Sequence, residues 1–90
     1  MRLNDTQLTV LTAAAREKVF IDQQGSAFME GSYRPVTATT SGLMHRNLLT
    51  RGRQYSVLGV HHTDLTPTEA GFSELAARGL TADNDWTAPA

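Results

Sequence analysis

Four arginines are the residues of this 90-residue chain whose type and spacing suggest a chemistry. They are Arg34, Arg46, Arg51 and Arg53. All lie within residues 31–63, a window that contains no Asp or Glu and holds all three histidines. The window carries a formal charge of +4, between flanks of −1 and −4. Guanidinium groups bind phosphate oxygens through paired hydrogen bonds, so this basic island fits phosphate binding. Chance clustering on a solvated face is the alternative.

Other chemistries have less support. The chain has no cysteine, which excludes disulfides, thiolate nucleophiles and thiolate metal sites. His61, His62 and Asp64 lie close in sequence, but adjacent strand residues point to opposite faces, so at most one histidine could join a given metal site. Polar strand residues are the favoured interpretation. No glycine-rich phosphate loop, serine-histidine-aspartate set or carboxylate pair is present, and the sequence predicts neither an enzyme nor a cofactor.

Length and hydropathy predict one small domain. A chain of this length forms a single core of marginal size, assigned to residues 1–79. No stretch approaches the roughly 18 apolar residues of a membrane span, and the N-terminus lacks a signal-peptide pattern. A cytoplasmic protein without membrane contact is therefore expected. Residues 80–90 have little apolar surface and are expected to be disordered, unless Trp86 docks on the domain or on a partner.

The N-terminal segment predicts a helix. Asn4 is its N-cap, Gln7 completes a capping box, and Leu3 and Leu8 occupy the hydrophobic-staple positions. Apolar residues recur at helical spacing over about three turns, so the helix is expected to end near residues 17–18.

A hairpin is predicted next. Residues 19–22 and 27–30 are short runs rich in β-branched or aromatic side chains, separated by polar residues and Gly25. The second run could equally form one helical turn. Pro35 disfavours helical backbone at Arg34, so a loop precedes the following element.

The central helix is predicted to span residues 36–51 and to stop at Gly52. At about 100° per residue, Met44 and Leu48 fall on one side, and a face of short hydroxyls, a glycine and arginines falls opposite. The members of this face are Thr39, Gly42, Arg46, Thr50 and Arg53. A face without acids suits close approach to a phosphate backbone and a groove. Gly42 could equally mark a close crossing with another helix.

A second hairpin is predicted over residues 54–65, with Gly59 as its turn or bulge. The helix that follows has a full start signal, because Thr66 can cap it, Pro67 suits its first position and Glu69 completes a capping box. Its expected core residues and C-terminal glycine are Phe72, Leu75, Ala76 and Gly79.

Two motifs give a family resemblance. Leu48-Leu49-Thr50-Arg51-Gly52 precedes the second hairpin and Leu65-Thr66-Pro67-Thr68-Glu69-Ala70-Gly71 follows it. This order resembles the winged helix-turn-helix domains of the multiple-antibiotic-resistance (MarR) type of bacterial regulator, over roughly residues 35–75. In that family the helix before the wing is the recognition helix. The family places a further helix where this chain has residues 19–33, and its long dimerisation helices have no counterpart in this sequence.

The resemblance implies an α+β fold, namely a small winged-helix domain with three main helices, a β-hairpin wing and a possible extra N-terminal hairpin. It implies double-stranded DNA as the partner, a homodimer, and a role as a transcriptional regulator or accessory DNA-binding factor. The residues expected to contact DNA are Arg34, Thr39, Gly42, Arg46, Thr50, Arg51, Arg53 and, on the wing, His61. The alternative is a winged-helix module that binds a protein through Leu49 or Trp86 and makes no contact with nucleic acid.

Overall fold

A computed structural model describes residues 3–79, which fold into three helices and four strands. In chain order they are α1 Asp5–Ala15, β1 Val19–Asp22, β2 Ala27–Met29, α2 Thr37–His45, β3 Leu49–Val57, β4 Val60–Pro67 and α3 Glu69–Ala77. The strands form one antiparallel sheet in the order β2-β1-β4-β3. The expected α+β class is confirmed. The predictions for residues 80–90, including those for Trp86, lie outside the described residues.

The helices pack on one face of the sheet. Strand registers place Val19, Ala27, Leu49 and Leu65 on this helix-covered face, and all four are buried. The helices contribute the rest of the buried core, namely Val10, Leu11, Ala14, Leu43 and Leu75. Alternate residues of the strands lie on the other face, called the open face here, against which none of the three helices packs. Within residues 3–79, no helix is long and apolar enough to cross a bilayer.

The start of α1 confirms its predicted capping box. The side chain of Asn4 accepts a hydrogen bond from the backbone N–H of Gln7 (2.8 Å), and the Gln7 side chain accepts one from the N–H of Asn4 (3.0 Å). The helix ends at Ala15, slightly before the expected residues. Glu17 then adopts a left-handed conformation (φ 62°), which turns the chain into β1.

The first hairpin is confirmed, and its second run is a strand instead of a helical turn. The side chain of Asp22 accepts hydrogen bonds from the N–H groups of Gln24 and Ser26, and Gly25 supplies the left-handed residue of the turn (φ 87°). The exposed edge of β2 is partly covered by the following loop, because the N–H of Val36 donates to the carbonyl of Ala27 at 2.7 Å.

The predicted span of the central helix is wrong at its C-terminus. Helix α2 ends at His45, six residues before the expected end, because Asn47 adopts a left-handed conformation (φ 61°). The N–H of Asn47 then donates to the carbonyl of Met44, and that of Leu48 to the carbonyl of Leu43, which is a Schellman motif. Asparagine tolerates this conformation and stops the helix, so Gly52 is not the stop. Residues 49–53, which include Thr50, Arg51 and Arg53, belong to strand β3.

The predicted start of the last helix is also wrong. Thr66 and Pro67 end strand β4, since Pro67 pairs with Leu49 of β3. The N-cap of α3 is Thr68, whose hydroxyl accepts a hydrogen bond from the N–H of Gly71 at 3.0 Å. The same hydroxyl donates to the carbonyl of Asn47 at 2.6 Å and ties the end of α2 to the start of α3.

The packing of α3 is centred on Gly71 and Leu75, which are buried. Phe72 lies beside this stripe and is 47% exposed, so its predicted core position is wrong, and Ala76 is exposed as well. Gly79 has φ 71° directly after the C-cap residue Arg78, which confirms the predicted C′ glycine.

The second hairpin is longer than expected, since β3 begins at Leu49 and β4 reaches Pro67. Leu58 (φ 51°) and Gly59 (φ 81°) form its two-residue turn, which confirms Gly59 as a turn residue. An irregularity in the pairing between Arg51 and Gln54 bulges β3 near its base. This hairpin therefore extends directly from the end of α2.

Candidate nucleic-acid interface

One narrow side of helix α2 is exposed to solvent. Thr40 and Leu43 are buried against the core, whereas Ala38, Ser41 and His45 are exposed. The first turn of α2 contains no acid, and no side chain caps it. The exposed side of α2 is therefore small, polar and without negative charge, as contact with a polyanion requires.

A groove of about 390 Å³ runs beside this exposed side. Its lining residues are Ile21, Gly25, Thr37, Thr40, Ser41, Met44, His45 and Arg51, none of which is acidic. Arg51 reaches the groove because it pairs with Leu65 and so lies on the helix-covered face of β3. The fold thus brings an arginine of the hairpin next to Ser41 and His45 of α2.

Arg34 lies beside the N-terminus of the same helix. It is exposed, and its backbone N–H donates to the hydroxyl of Ser32 at 3.2 Å. Pro35 forms an isolated bridge with Phe28 of β2, and Thr37 at the start of α2 accepts a hydrogen bond from the N–H of Ala27 (3.0 Å). These contacts fix the loop, so Arg34 is held near the first turn of α2.

The predicted helix face is not the exposed one. Thr39 and Gly42 are half-buried, and Gly42 lies next to α1, where an added Cβ would be 3.9 Å from the side-chain nitrogen of Gln7. Gly42 therefore faces α1, and the crossing of the two helices leaves room for a Cβ at this position. Arg46 is half-buried at the C-cap of α2. The prediction missed the exposed residues Ala38, Ser41 and His45, because the predicted face was aligned with Thr50 and Arg53, which belong to strand β3.

Arg53 lies apart from this groove. Its guanidinium is 3.6 Å from the carboxylate of Asp64 and sits over the ring of Tyr55, 5.2 Å from the ring centroid. A cavity of about 190 Å³ beside it is also lined by Glu17. Thr50 pairs with Thr66 on the open face as well. The structure therefore separates Arg53 and Thr50 from Arg51, and the Arg53 side chain, which is 75% exposed, lies beside Asp64.

His61 lies close to the tip of the second hairpin. It is exposed, and its Nδ1 is 3.4 Å from the hydroxyl of Ser56 on the paired strand. His61 and Leu65 are four residues apart on β4, so His61 shares the helix-covered side of the hairpin with Arg51. At the tip, Leu58 is 99% exposed. One side of the hairpin therefore carries both predicted residues, His61 and Arg51.

The open face carries a row of rings that the sequence did not predict. Phe28, Phe20, His62 and Tyr55 follow one another across the sheet, with ring centroids separated by 6.1, 4.6 and 5.5 Å. Burial raises the pKa of the Tyr55 hydroxyl above its ordinary value of 10.0, and the hydrogen bond to Asp64 and the charge of Asp64 raise it further. Each hairpin brings two of these rings together, Phe20 with Phe28 and Tyr55 with His62, and the pairing of β1 with β4, which no local pattern encodes, joins the two pairs into one row.

His61 and His62 point to opposite faces of β4, as expected for adjacent strand residues. Within residues 3–79, no three His, Cys, Asp or Glu side chains lie close enough to hold a metal ion. Comparison with known proteins gives no relative, since no family model matches the chain and neither the curated proteins nor the solved structures contain a significant match. The fold and the site therefore carry the functional argument.

Proposed function

We propose that this chain is a small winged-helix DNA-binding protein, acting as a transcriptional regulator or an accessory DNA-binding factor. In this proposal α2 enters the major groove and the β3–β4 hairpin is the wing. The observation that carries it is the acid-free groove in which Arg51 of the hairpin lies beside the exposed Ser41 and His45 of α2. A helix and a basic hairpin that share an acid-free surface suit duplex DNA.

The dimensions of α2 suit this role. Nine residues give a helix about 13 Å long, and the major groove, roughly 12 Å wide, admits a helix. The small side chain of Ala38 allows close approach and can contact a thymine methyl group. The hydroxyl of Ser41 and the imidazole of His45 offer hydrogen bonds to base edges. These three residues are the proposed base-contacting set.

Two arginines flank α2 and supply the proposed phosphate contacts. Arg34 lies before its first turn, and Arg51 lies beside its C-terminal half. His61 extends the same side of the hairpin towards the tip, where the exposed Leu58 can reach an adjacent groove. Two phosphate contacts give a slope of log affinity against log salt of about −1.8 per chain, and a homodimer would double it.

The geometry gives less support to the other residues that were expected to contact DNA. Thr39, Gly42 and Arg46 are half-buried, and Arg53 is already held by Asp64. The proposal therefore relies on Arg34, Arg51 and the outer side of α2. In the alternative function, binding of a protein, Leu49 cannot be the contact because it is only 3% exposed.

The test is a titration of a fluorescently labelled random 20-base-pair duplex, followed by anisotropy over a series of salt concentrations. Arg51→Ala should lower the magnitude of the salt slope by about 0.9 per chain and weaken binding to every sequence. Arg53→Ala is the matched control, since it removes the same charge from the same strand but from a site paired with Asp64. We expect it to change the slope little.

Two results would contradict the proposal in different ways. Equal losses from Arg51→Ala and Arg53→Ala would mean that the DNA does not lie on the helix-covered side of the hairpin. Absence of salt-dependent binding by the parent protein at low ionic strength would reject DNA as the partner.

A further inference from the structure

A pocket of about 460 Å³ lies on the open face, at the Phe28 end of the row of rings. Its lining residues include four with rings and two acids, namely Phe20, Phe28, Tyr33, His62, Asp22 and Glu30. Three phenyl or phenol rings and an imidazole therefore surround a space large enough for a long side chain. The ring of Tyr33 stands free in solvent, since this residue is 98% exposed. A fully exposed tyrosine beside other rings is a common feature of protein-binding surfaces.

The charged residues that line this pocket are both acidic. Asp22 uses its side chain to accept the two backbone hydrogen bonds of the β1–β2 turn, and Glu30 is exposed at the end of β2. Within residues 3–79, neither carboxylate forms an ion pair. The pocket thus combines aromatic faces with two carboxylates that form no ion pair within the described residues. This combination attracts a cation with an apolar stem.

The same face already holds one guanidinium in this way. At the other end of the row, Arg53 lies over the ring of Tyr55 (5.2 Å) and against the carboxylate of Asp64 (3.6 Å). A ring and a carboxylate therefore lie beside an arginine whose side chain remains 75% exposed. The pocket at the Phe28 end offers the same two kinds of group.

The negative charge of the pocket indicates which kind of molecule could occupy it. Nucleic acid is disfavoured, because phosphates would approach Asp22 and Glu30. Residues 80–90 are disfavoured too, since they contain two aspartates and no basic residue. A basic segment of another protein has the complementary charge.

We propose that this open-face pocket is a docking site for an arginine side chain presented by a basic segment of a partner protein. The guanidinium stacks on Tyr33 and the neighbouring phenyl rings, and the carboxylates of Glu30 and Asp22 balance its charge. The proposal is independent of DNA binding, because the pocket and the α2 groove share no lining residue.

The experiment uses the full chain and a tetra-arginine peptide amide, with the uncharged tetra-citrulline peptide as the ligand control, in calorimetric or NMR titrations. Tyr33→Ala is informative because this ring is fully exposed, so its removal should leave the melting temperature unchanged. It should weaken binding of tetra-arginine about two- to fivefold, as loss of an exposed cation–π contact predicts. Glu30→Gln should weaken binding by a similar factor.

Glu69→Gln is the matched control, since Glu69 is an exposed acid on α3 outside the pocket. It should leave the affinity for tetra-arginine nearly unchanged, and tetra-citrulline should not bind. Equal effects of Glu69→Gln and Glu30→Gln, together with no effect of Tyr33→Ala, would show general charge attraction and overturn the proposal. Absence of binding would also overturn it. Sedimentation that shows self-association lost in Tyr33→Ala would identify a second copy of the chain as the occupant instead.

Discussion

Two glycines in helices give a matched test of how the helices pack. Gly71 in α3 lies against the end of α2, where an added Cβ would overlap the carbonyl oxygen of Leu48 and lie 3.1 Å from Cβ of Pro67. Gly42 in α2 faces α1 with more room, since its added Cβ would be 3.9 Å from the nearest atom, the side-chain nitrogen of Gln7. Replacement by alanine should therefore have opposite effects at the two positions.

The magnitudes follow from two competing terms. Replacing a helical glycine by alanine stabilises a helix by about 1 kcal/mol. At Gly42 this term acts alone, because 3.9 Å is an ordinary van der Waals contact. At Gly71 the new methyl group meets backbone, which cannot rotate away, and moving the Leu48 carbonyl also strains its hydrogen bond from the N–H of Thr68 (3.0 Å). Overpacking costs about 1 to 3 kcal/mol and loss of a hydrogen bond about 1 kcal/mol, so Gly71→Ala should be destabilising by about 1 to 3 kcal/mol net.

Thermal and urea unfolding monitored by circular dichroism measures both effects. For a domain of this size, 1 kcal/mol corresponds to a shift of roughly 4 to 8 °C in Tm. Gly42→Ala should raise the Tm by several degrees, and Gly71→Ala should lower it by about 4 °C or more. A Gly71→Ala variant that melts at or above the parent temperature would refute the close approach of α3 to the end of α2. A large loss in Gly42→Ala would instead show a tighter crossing of α1 and α2.

Two further experiments test the corrected helix start and the open face. Thr68→Ala should reduce the free energy of unfolding by about 1 to 2 kcal/mol, because Thr68 is the N-cap of α3. Thr66→Ala should reduce it clearly less, and urea titrations of the two variants give the comparison. In a Tyr33→Phe background, where Tyr55 is the remaining tyrosine, ultraviolet titration should show ionisation of Tyr55 above its ordinary pKa of 10.0, and Asp64→Asn should lower that pKa towards normal. Because the pKa of Tyr55 is raised in the folded state, the stability that neutral Tyr55 contributes is complete below pH 10 and is lost as the pH rises through the raised pKa. A rise in stability at alkaline pH would contradict this expectation.

Local signals predicted the parts of the fold that local contacts determine. The capping box of α1 joins residues three apart, and Asn4 and Gln7 satisfy each other without help from the rest of the chain. The turn of the first hairpin, with Asp22 and Gly25, is similarly local. Such features depend on a few neighbouring residues, so one sequence is enough to predict them.

The errors arose where two local solutions competed and tertiary contacts chose between them. Thr66 and Thr68 can both cap a helix, and the pairing of Pro67 with Leu49 extends β4 and leaves Thr68 as the cap. At the end of α2, Asn47 competes with Gly52 as the stop residue, and burial of Leu49 in β3 accompanies the earlier stop. In both places the residue with the weaker local signal, Thr68 or Asn47, has the structural role, because strand pairing cannot be inferred from a short stretch of sequence.

The candidate site was predicted in its chemistry more than in its geometry. The acid-free window contains Arg51, which lies in the α2 groove with His45, and Arg34, which lies beside the helix. The predicted helix face also included Arg53, because the central helix was expected to continue to Arg51. In the structure both arginines lie in strand β3, and the irregular pairing between Arg51 and Gln54 gives Arg51 and Arg53 different surroundings.

The hydrogen bonds from Thr68 to the end of α2 have a kinetic consequence. The hydroxyl and N–H of Thr68 donate to the carbonyls of Asn47 and Leu48, and Thr68 lies 21 residues from Asn47 along the chain. These groups can meet only after β3 and β4 have paired from the tip down to Leu49 and Pro67. We therefore expect this contact to be absent from the folding transition state. Thr68→Ala removes the hydroxyl bond and keeps the backbone N–H bond, and loss of the hydroxyl bond should mainly accelerate unfolding and change the folding rate little.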